Sequence, residues 1–244
     1  MLSNFLFKSR LRRKGVALYR SFLPRDAAVR IGERFARNVE RTALYPDLLT
    51  NSARTVFSPA MAFADPNDET LRSRLLEAIE SKKFFDPSFI LPSEHARFME
   101  EVGSKLIDLL SFLGPIGPTP IAFARFEKAR PNSAYDFHAV HQDARPDITP
   151  DPTAWTAWLT FSPCGWDAPS LQYVERRFSD LLPEQRGERL FLSADDVKRY
   201  RFRRPILQPG DLVVFSAYTL HGTWITRGMT RARYSLDVRM AAAP

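Results

Sequence analysis

Three residues in the second half of the chain have side chains of the types that bind a divalent metal. His141 and Asp143 lie two positions apart, and on a β-strand this spacing points both side chains to the same face. His221 follows a predicted strand about eighty residues later. Two imidazoles and one carboxylate form the facial triad that holds Fe(II) and leaves adjacent positions open for an oxidant and a co-substrate. The three residues therefore predict an iron centre for oxidative chemistry.

The segment 233–240 alternates polar and apolar residues without a break, so a strand there has one polar face and one apolar face. Such a polar face is typical of solvent exposure. It is equally typical of the interior of an open barrel, where an arginine could bind a dicarboxylate through a bidentate pair. The pattern alone leaves both interpretations open. The polar residues are Arg233, Ser235, Asp237 and Arg239, and the apolar residues are Tyr234, Leu236, Val238 and Met240.

Helices are predicted in the first half of the chain and strands in the second. Apolar residues recur every three or four positions over 25–41, 69–81 and 93–112, which indicates amphipathic helices, and a strand is predicted over 15–23. After Pro120 short β-like runs are separated by turns, without the βαβ alternation of a parallel sheet. These runs are 121–126, 136–143, 154–161, 170–174, 212–217 and 233–240.

Composition limits the possible classes of protein. At 244 residues the chain is long enough for one good core, and we expect a single domain over 1–244. Cys164 is the only cysteine, which excludes an intrachain disulfide and favours a reducing, cytoplasmic compartment. The apolar runs are too short to span a bilayer, and the first fifteen residues lack the features of a secretory signal.

The first fifty residues carry the whole net charge of +7, and five basic residues crowd positions 8–14. We favour a solvated, partly disordered basic terminus. The alternative is a contact with an acidic partner, such as a carrier protein, a membrane surface or a nucleic acid.

The ordered set of motifs over about 120–240 resembles the phytanoyl-CoA dioxygenase superfamily of Fe(II)- and 2-oxoglutarate-dependent oxygenases. The resemblance implies a mostly β protein with flanking helices: a double-stranded β-helix, or cupin-like jelly roll, supported by helices within about 15–112. It implies a dioxygenase that uses Fe(II), 2-oxoglutarate and O2 to hydroxylate or otherwise oxidise a small organic molecule, as in secondary-metabolite biosynthesis. The motifs are His141-Gln142-Asp143, Trp158, Pro209-Gly210-Asp211, His221-Gly222-Thr223 and Arg233-x-Ser235-x-Asp237-x-Arg239.

The resemblance also implies residue roles. His141, Asp143 and His221 would bind the iron. Arg233 would pair with the far carboxylate of 2-oxoglutarate, assisted by Thr223, and Trp158 would border the co-substrate. Ser235 shares the face of Arg233 and joins this set. The loop between His221 and Arg233 is one residue longer than is usual in the family. Arg231 is therefore an alternative candidate for binding the far carboxylate of 2-oxoglutarate.

Two further residues are candidates for substrate contact. Arg239 could reach an acidic substrate or pair with Asp237. His138 lies three positions before His141, so on a strand it points to the opposite face, where a core or surface role is the alternative. Asp143 itself argues against halogenation, because related halogenases have a small residue at that position.

Three other functions were weighed against this one. A nucleic-acid dealkylating oxygenase would explain the basic N-terminus and the Arg233–Arg239 pair, but the basic residues are not interleaved with aromatic ones. A catalytically silent β-barrel binding protein would have little need for a complete metal triad. A zinc hydrolase could use the same ligands but offers no role for the arginine-bearing strand.

Overall fold

Helices dominate the first half of the chain. The computed structural model describes residues 2–42, 54–57, 60–63, 65, 67–70, 73, 96–128, 140–144, 154–185, 191–226 and 228–242. The helices are α1 (Leu2–Lys14), α2 (Arg25–Thr42), α3 (Ala60–Phe63), α4 (Ser104–Leu110) and α5 (Ala194–Lys198). The prediction over 25–41 is confirmed. The described part of 93–112 is also helical, with a π-helical turn before α4, whereas 69–81 lies almost entirely outside the described residues.

Nine strands form two antiparallel sheets in the described part of the chain. They are β1 (Val16–Tyr19), β2 (Arg54–Phe57), β3 (Ile116–Lys128), β4 (Trp155–Thr160), β5 (Ser170–Val174), β6 (Phe202–Arg203), β7 (Leu212–Ser216), β8 (His221–Trp224) and β9 (Ala232–Ala242). The larger sheet has the order β1-β7-β4-β9-β3-β2 and the smaller β6-β5-β8. The expected jelly roll with flanking helices is confirmed.

Some strand predictions differ from the structure. β1 is shorter than 15–23, because Gly15 and Ser21 have φ angles of 70° and 54° on either side of it. β3 begins at Ile116, five residues before the run predicted over 121–126. Its pairing with β9 shifts register between Pro118 and Ala122, and this irregularity accommodates Pro120, which has no N–H to donate.

The strand expected over 136–143 is also corrected. Only its end, 140–143, is described, and there His141 makes an isolated antiparallel bridge to His221 while Asp143 lies in a bend. His138 lies outside the described residues. The alternation of a regular strand is therefore not what brings His141 and Asp143 together.

The polar face of β9 lines the inside of the barrel. Its polar residues are almost fully buried, so the barrel-interior interpretation is confirmed and solvent exposure is wrong. The apolar face points outward into a large hydrophobic cluster that it shares with α1, α2 and α4. Tyr234 on that face meets Phe35 of α2 with ring centroids 5.3 Å apart. The helices are thus required to cover the outer face of the larger sheet.

The N-terminal segment is a helix docked on the core, not the disordered basic terminus we expected. Phe7 and Leu11, one helical turn apart, are buried in the hydrophobic cluster. Arg12 donates to the carbonyl of Phe112 at 3.1 Å, and Arg10 forms an ion pair with Glu175 at 2.5 Å. Two buried apolar side chains and two contacts of basic side chains therefore attach α1 to the rest of the protein. Within the described residues, no helix has both the length and the apolar character to cross a membrane.

We predict that Leu11→Ala lowers the free energy of unfolding by about 3 kcal/mol, because it leaves a cavity under α1. Leu6→Ala in the same helix is the matched control: Leu6 is 58% exposed, and its loss should change stability by less than about 0.5 kcal/mol. Urea denaturation followed by circular dichroism measures both. Equal effects of the two substitutions would contradict the docked position of α1.

Candidate metal centre

The three predicted ligands meet inside the barrel. One ligand atom from each of His141, Asp143 and His221 lies within 4.8 Å of the others. The Nε2 atom of His141 is 3.3 Å from Oδ1 of Asp143, and the Nε2 atom of His221 is 3.7 Å from Oδ2. All three side chains are at most 12% exposed. The sequence-predicted triad therefore forms a single cluster.

Backbone pairing between the loop that carries His141 and the first residue of β8, His221, sets this distance. The N–H of His141 donates to the carbonyl of His221 at 2.8 Å, and the N–H of His221 returns the bond at 3.0 Å. Three residues further along the first loop, the N–H of Ala144 donates to the carbonyl of Ala217 at 2.9 Å. The segments that carry the ligands are therefore joined to each other directly, so their side chains do not depend on loop flexibility.

The imidazole of His221 is held in one tautomer. Its Nδ1 lies 2.9 Å from the carbonyl oxygen of Thr219, which can only accept, so Nδ1 carries the proton and Nε2 presents a lone pair toward Asp143. Phe215 packs against the ring with centroids 4.3 Å apart. Burial, opposed by the negative charge of Asp143, lowers the pKa of His221 to about 4. The ring is therefore a neutral ligand at physiological pH.

Asp143 is completely buried yet ionised. Burial by itself would raise its pKa, but the positive charge of Arg239, aided by the two histidines, holds the pKa well below its usual range. Arg239 donates from Nη1 to Oδ2 of the carboxylate and also contacts the hydroxyl of Thr156. Thr156 donates to the same Oδ2 at 3.1 Å. Oδ2 is thus engaged by two protein groups, whereas Oδ1 has no hydrogen-bond partner among the described residues.

Gln142, between the two ligands of the first loop, is buried and fixes the loop to its surroundings. Its side chain donates to the carbonyl of Tyr218 at 2.6 Å and accepts from the N–H of Leu182 at 2.7 Å. Its own N–H donates to the side chain of Gln185 at 2.8 Å. The middle residue of the His-Gln-Asp motif therefore positions its neighbours, which the spacing alone did not reveal.

The donor set fits a divalent metal. Two histidines with a fixed carboxylate supply nitrogen and oxygen ligands in the combination that suits Fe(II). Oδ1 of Asp143 is buried and lies 3.3 Å from Nε2 of His141, and Nε2 of His221 lies 3.7 Å from the same carboxylate, so the three ligand groups face one another as a metal site requires.

A narrow cleft with a cavity volume of about 20 Å³ lies beside the triad. Its lining residues are Arg125, His141, Trp158, Leu171, Phe215, His221, Gly222, Thr223, Arg233 and Asp237. Arg233 is only 1% exposed, and its guanidinium lies 5.2 Å from the centroid of the Trp158 ring. Two metal ligands therefore share one cavity with a buried arginine.

The two arginines that the sequence left as rivals have different surroundings. Arg233 lines the cleft, whereas the side chain of Arg231 is 68% exposed and lies 3.7 Å from the carboxylate of Asp167. Thr223 also lines the cleft. Ser235 is completely buried, but it is not among the residues that line the cleft.

Arg239 does not make the pair with Asp237 that we considered. Asp237 instead accepts a hydrogen bond from Nε of Arg125 on β3, and Arg239 donates to Asp143. Sequence reasoning missed Arg125 and Thr156 as site residues. Their roles depend on which strands are neighbours in the sheet. The pattern of polar residues on β3 and β4 does not indicate that strand order.

Proteins of known structure share this fold. AviO1 from Streptomyces viridochromogenes Tue57 has a TM-score of 0.59 at 18% identity, covering 100% of this chain and 98% of its own. HygX from Streptomyces hygroscopicus, solved with nickel and 2-oxoglutarate, has a TM-score of 0.58 at 14% identity. The match covers 98% of this chain and 87% of HygX. SnoN, a non-heme alpha-ketoglutarate-dependent epimerase from nogalamycin biosynthesis, has a TM-score of 0.56 at 14% identity. The match covers 99% of this chain and 84% of SnoN.

No family model matches the sequence, and no curated protein matches it. At these identities the structural likeness shows the fold. The chain thus has the jelly-roll fold of HygX and SnoN, and its His-Asp-His cluster lies inside that barrel. Membership of the phytanoyl-CoA dioxygenase subgroup stays a prediction.

The lowered pKa of His221 predicts how stability changes with pH. The unfolded chain protonates this imidazole near pH 6.5, whereas the folded chain does so only near pH 4. The unfolded state therefore binds more protons between these values, and the free energy of unfolding falls as the pH decreases through this window. Asp143, with its low pKa, contributes only below this window.

We predict that the metal-free protein loses about 2 kcal/mol of stability between pH 7 and pH 4.5 through this group alone. His221→Leu should lack this component, so the difference between the two stability profiles isolates it. Urea denaturation in the presence of a chelator at several pH values provides the measurement. Parallel profiles would show that His221 is not held neutral by the fold.

Proposed function

We propose that this protein is an Fe(II)- and 2-oxoglutarate-dependent oxygenase that oxidises a small organic molecule. The observation that carries the proposal is the shared cavity: His141 and His221 of the triad line the same cleft as the buried Arg233. A metal ligand set alone would suit several chemistries. A buried cation across the cleft from it adds a site for the far end of a dicarboxylate.

Positive charge beside the cleft supports the same proposal. Arg125 and Arg233 both line the cleft, and Arg125 donates to the carboxylate of Asp237. A buried guanidinium close to a divalent cation favours a divalent anion such as 2-oxoglutarate.

Each residue then has a defined task. His141, His221 and Asp143 would hold the iron, and Arg233 would bind the distal carboxylate of 2-oxoglutarate. Trp158 holds the Arg233 guanidinium against its ring face. Thr223 and Ser235, with their hydroxyls, are the remaining co-substrate candidates. When bound, the iron centre would couple oxidative decarboxylation of 2-oxoglutarate to succinate with oxidation of the substrate by O2.

The substrate class is proposed by analogy with the structural neighbours. SnoN belongs to nogalamycin biosynthesis, and HygX was solved with 2-oxoglutarate bound. A step in the biosynthesis of a secondary metabolite is consistent with these neighbours. Hydroxylation is the simplest outcome, although the neighbours include an epimerase and a carbocyclase.

The alternatives gain no support from the site. Nucleic-acid dealkylation was suggested partly by the Arg233–Arg239 pair, but Arg239 is occupied with Asp143. A contact between α1 and an acidic partner stays a prediction, since Arg10 and Arg12 already bind groups within the chain. A cytoplasmic location likewise stays a prediction.

The test is an anaerobic titration of the protein with Fe(II) and then 2-oxoglutarate, followed by the visible charge-transfer absorption of the chelate. Wild type should develop the band, and His141→Ala should not. Arg233→Gln should raise the dissociation constant of 2-oxoglutarate about tenfold or more, because a buried charge-assisted pair is lost. The matched control is Arg231→Gln, an exposed arginine two residues away that should leave the titration unchanged.

Absence of the band from wild type that binds iron would exclude the proposed function. An effect of Arg231→Gln as large as that of Arg233→Gln would contradict the assignment of the anion-binding arginine. Succinate release then serves as a general readout for a substrate screen, because it does not depend on the identity of the oxidised molecule.

A further inference from the structure

We propose that Arg239 and Thr156 are positioning residues that hold Oδ2 of Asp143, so that this carboxylate binds the metal through Oδ1 alone. The inference rests on the proposed function, because it concerns how many positions on the metal remain open. It gives Arg239 a role different from substrate binding and gives Thr156 a role that the sequence did not indicate.

The contacts converge on one oxygen. Arg239 donates from Nη1 to Oδ2, and Thr156 donates from its hydroxyl to the same atom at 3.1 Å. Arg239 also contacts the Thr156 hydroxyl, so the three groups form a closed triangle. Oδ1, by contrast, receives no hydrogen bond from Arg239 or Thr156 and lies 3.3 Å from Nε2 of His141, whereas Nε2 of His221 lies 3.7 Å from Oδ2. The two carboxylate oxygens therefore have different surroundings before any metal binds.

Sheet register places the two positioning residues. Thr156 on β4 and Arg239 on β9 are direct cross-strand partners, and both side chains point into the barrel. Asp143 lies in a bend, so its backbone alone does not orient the carboxylate. A rigid pair of strands thus fixes a ligand that is carried by a loop.

This arrangement would keep three positions on the metal open. An octahedral metal has six positions, and three single-atom protein ligands would leave three. A chelating 2-oxoglutarate would need two of these, which would leave one for O2. If Asp143 bound through both oxygens, only two positions would remain, and the co-substrate and O2 could not both bind. Occupation of Oδ2 by Arg239 and Thr156 prevents this.

Arg239→Met tests the proposal because it removes the donors and keeps much of the bulk. We expect the affinity of the iron-loaded protein for 2-oxoglutarate to fall about tenfold more than its affinity for Fe(II), because Fe(II) binding loses only the countercharge of Asp143 whereas 2-oxoglutarate also loses a metal position. Arg239→Lys should recover part of the loss, since an ammonium can still donate to Oδ2. Thr156→Val should show a smaller effect in the same direction, and Thr156→Ser should behave as wild type. The matched control is Arg231→Met.

A second readout does not involve 2-oxoglutarate. The visible ligand-field absorption of Co(II)-loaded protein reports coordination number and geometry. Arg239→Met should change this spectrum, whereas Arg231→Met should not.

A third experiment replaces the carboxylate itself. Asp143→Gly should bind Co(II) weakly, and formate should restore binding because Arg239 and Thr156 remain to hold one formate oxygen. The double substitution Asp143→Gly with Arg239→Met should not be rescued.

Two results would overturn the proposal. The first is a parallel loss of metal and 2-oxoglutarate affinity in Arg239→Met, which would mean that Arg239 only maintains the ligand. The second is formate rescue that is equally strong without Arg239. A wild-type protein that binds Co(II) but gives no chelate band would refute the proposed function instead, while the cobalt spectra and the formate rescue would still decide the role of Arg239.

Discussion

The ion pair between Arg239 and Asp143 is the interaction on which the rest of the structure depends. A carboxylate buried as deeply as Asp143 is costly unless an opposite charge and hydrogen bonds accompany it. The countercharge comes from β9, which must therefore turn its polar face inward. Because side chains alternate along a strand, the same choice turns Tyr234, Leu236 and Val238 outward. An apolar outer face on the larger sheet then requires a covering layer, and α1, α2 and α4 provide it.

The two faces of β9 divide residues that stabilise the fold from residues that form the site. In an ordinary β-sandwich the space between the sheets is the hydrophobic core. Here the main hydrophobic cluster lies between the larger sheet and the helices. The space between the sheets holds the charged groups and the cleft beside a second, smaller hydrophobic cluster that includes Trp158, Leu171 and Phe215. Substitutions under the helices should therefore act on unfolding. Substitutions on the inner face of β9 should act on binding, since each charged residue there already faces an opposite charge, a cavity or an aromatic ring.

Prediction from the sequence succeeded where one residue type or one periodicity carries the information. The amphipathic pattern located α2, the β-like runs located β4, β5 and β7, and ligand chemistry singled out His141, Asp143 and His221. It failed where the information lies in packing. Docking of α1 depends on two apolar residues meeting a distant core, and the partner of Arg239 depends on the register of β4 against β9. Neither is encoded locally.

The site is arranged by the fold before a metal binds. The carbonyl of Thr219 selects the tautomer of His221. The lowered pKa values keep the ring of His221 neutral and the carboxylate of Asp143 ionised at neutral pH. Gln142 fixes the loop between the ligands, and the two strands hold one carboxylate oxygen. Metal binding therefore has little ordering entropy to overcome and few protons to displace. The cost is met instead during folding, when the buried charges of the barrel must be brought together in the correct register. Misregister of β9 by one residue would turn Arg239 outward and leave Asp143 without its countercharge, so the pairing that makes the ligand usable also selects against the wrong sheet.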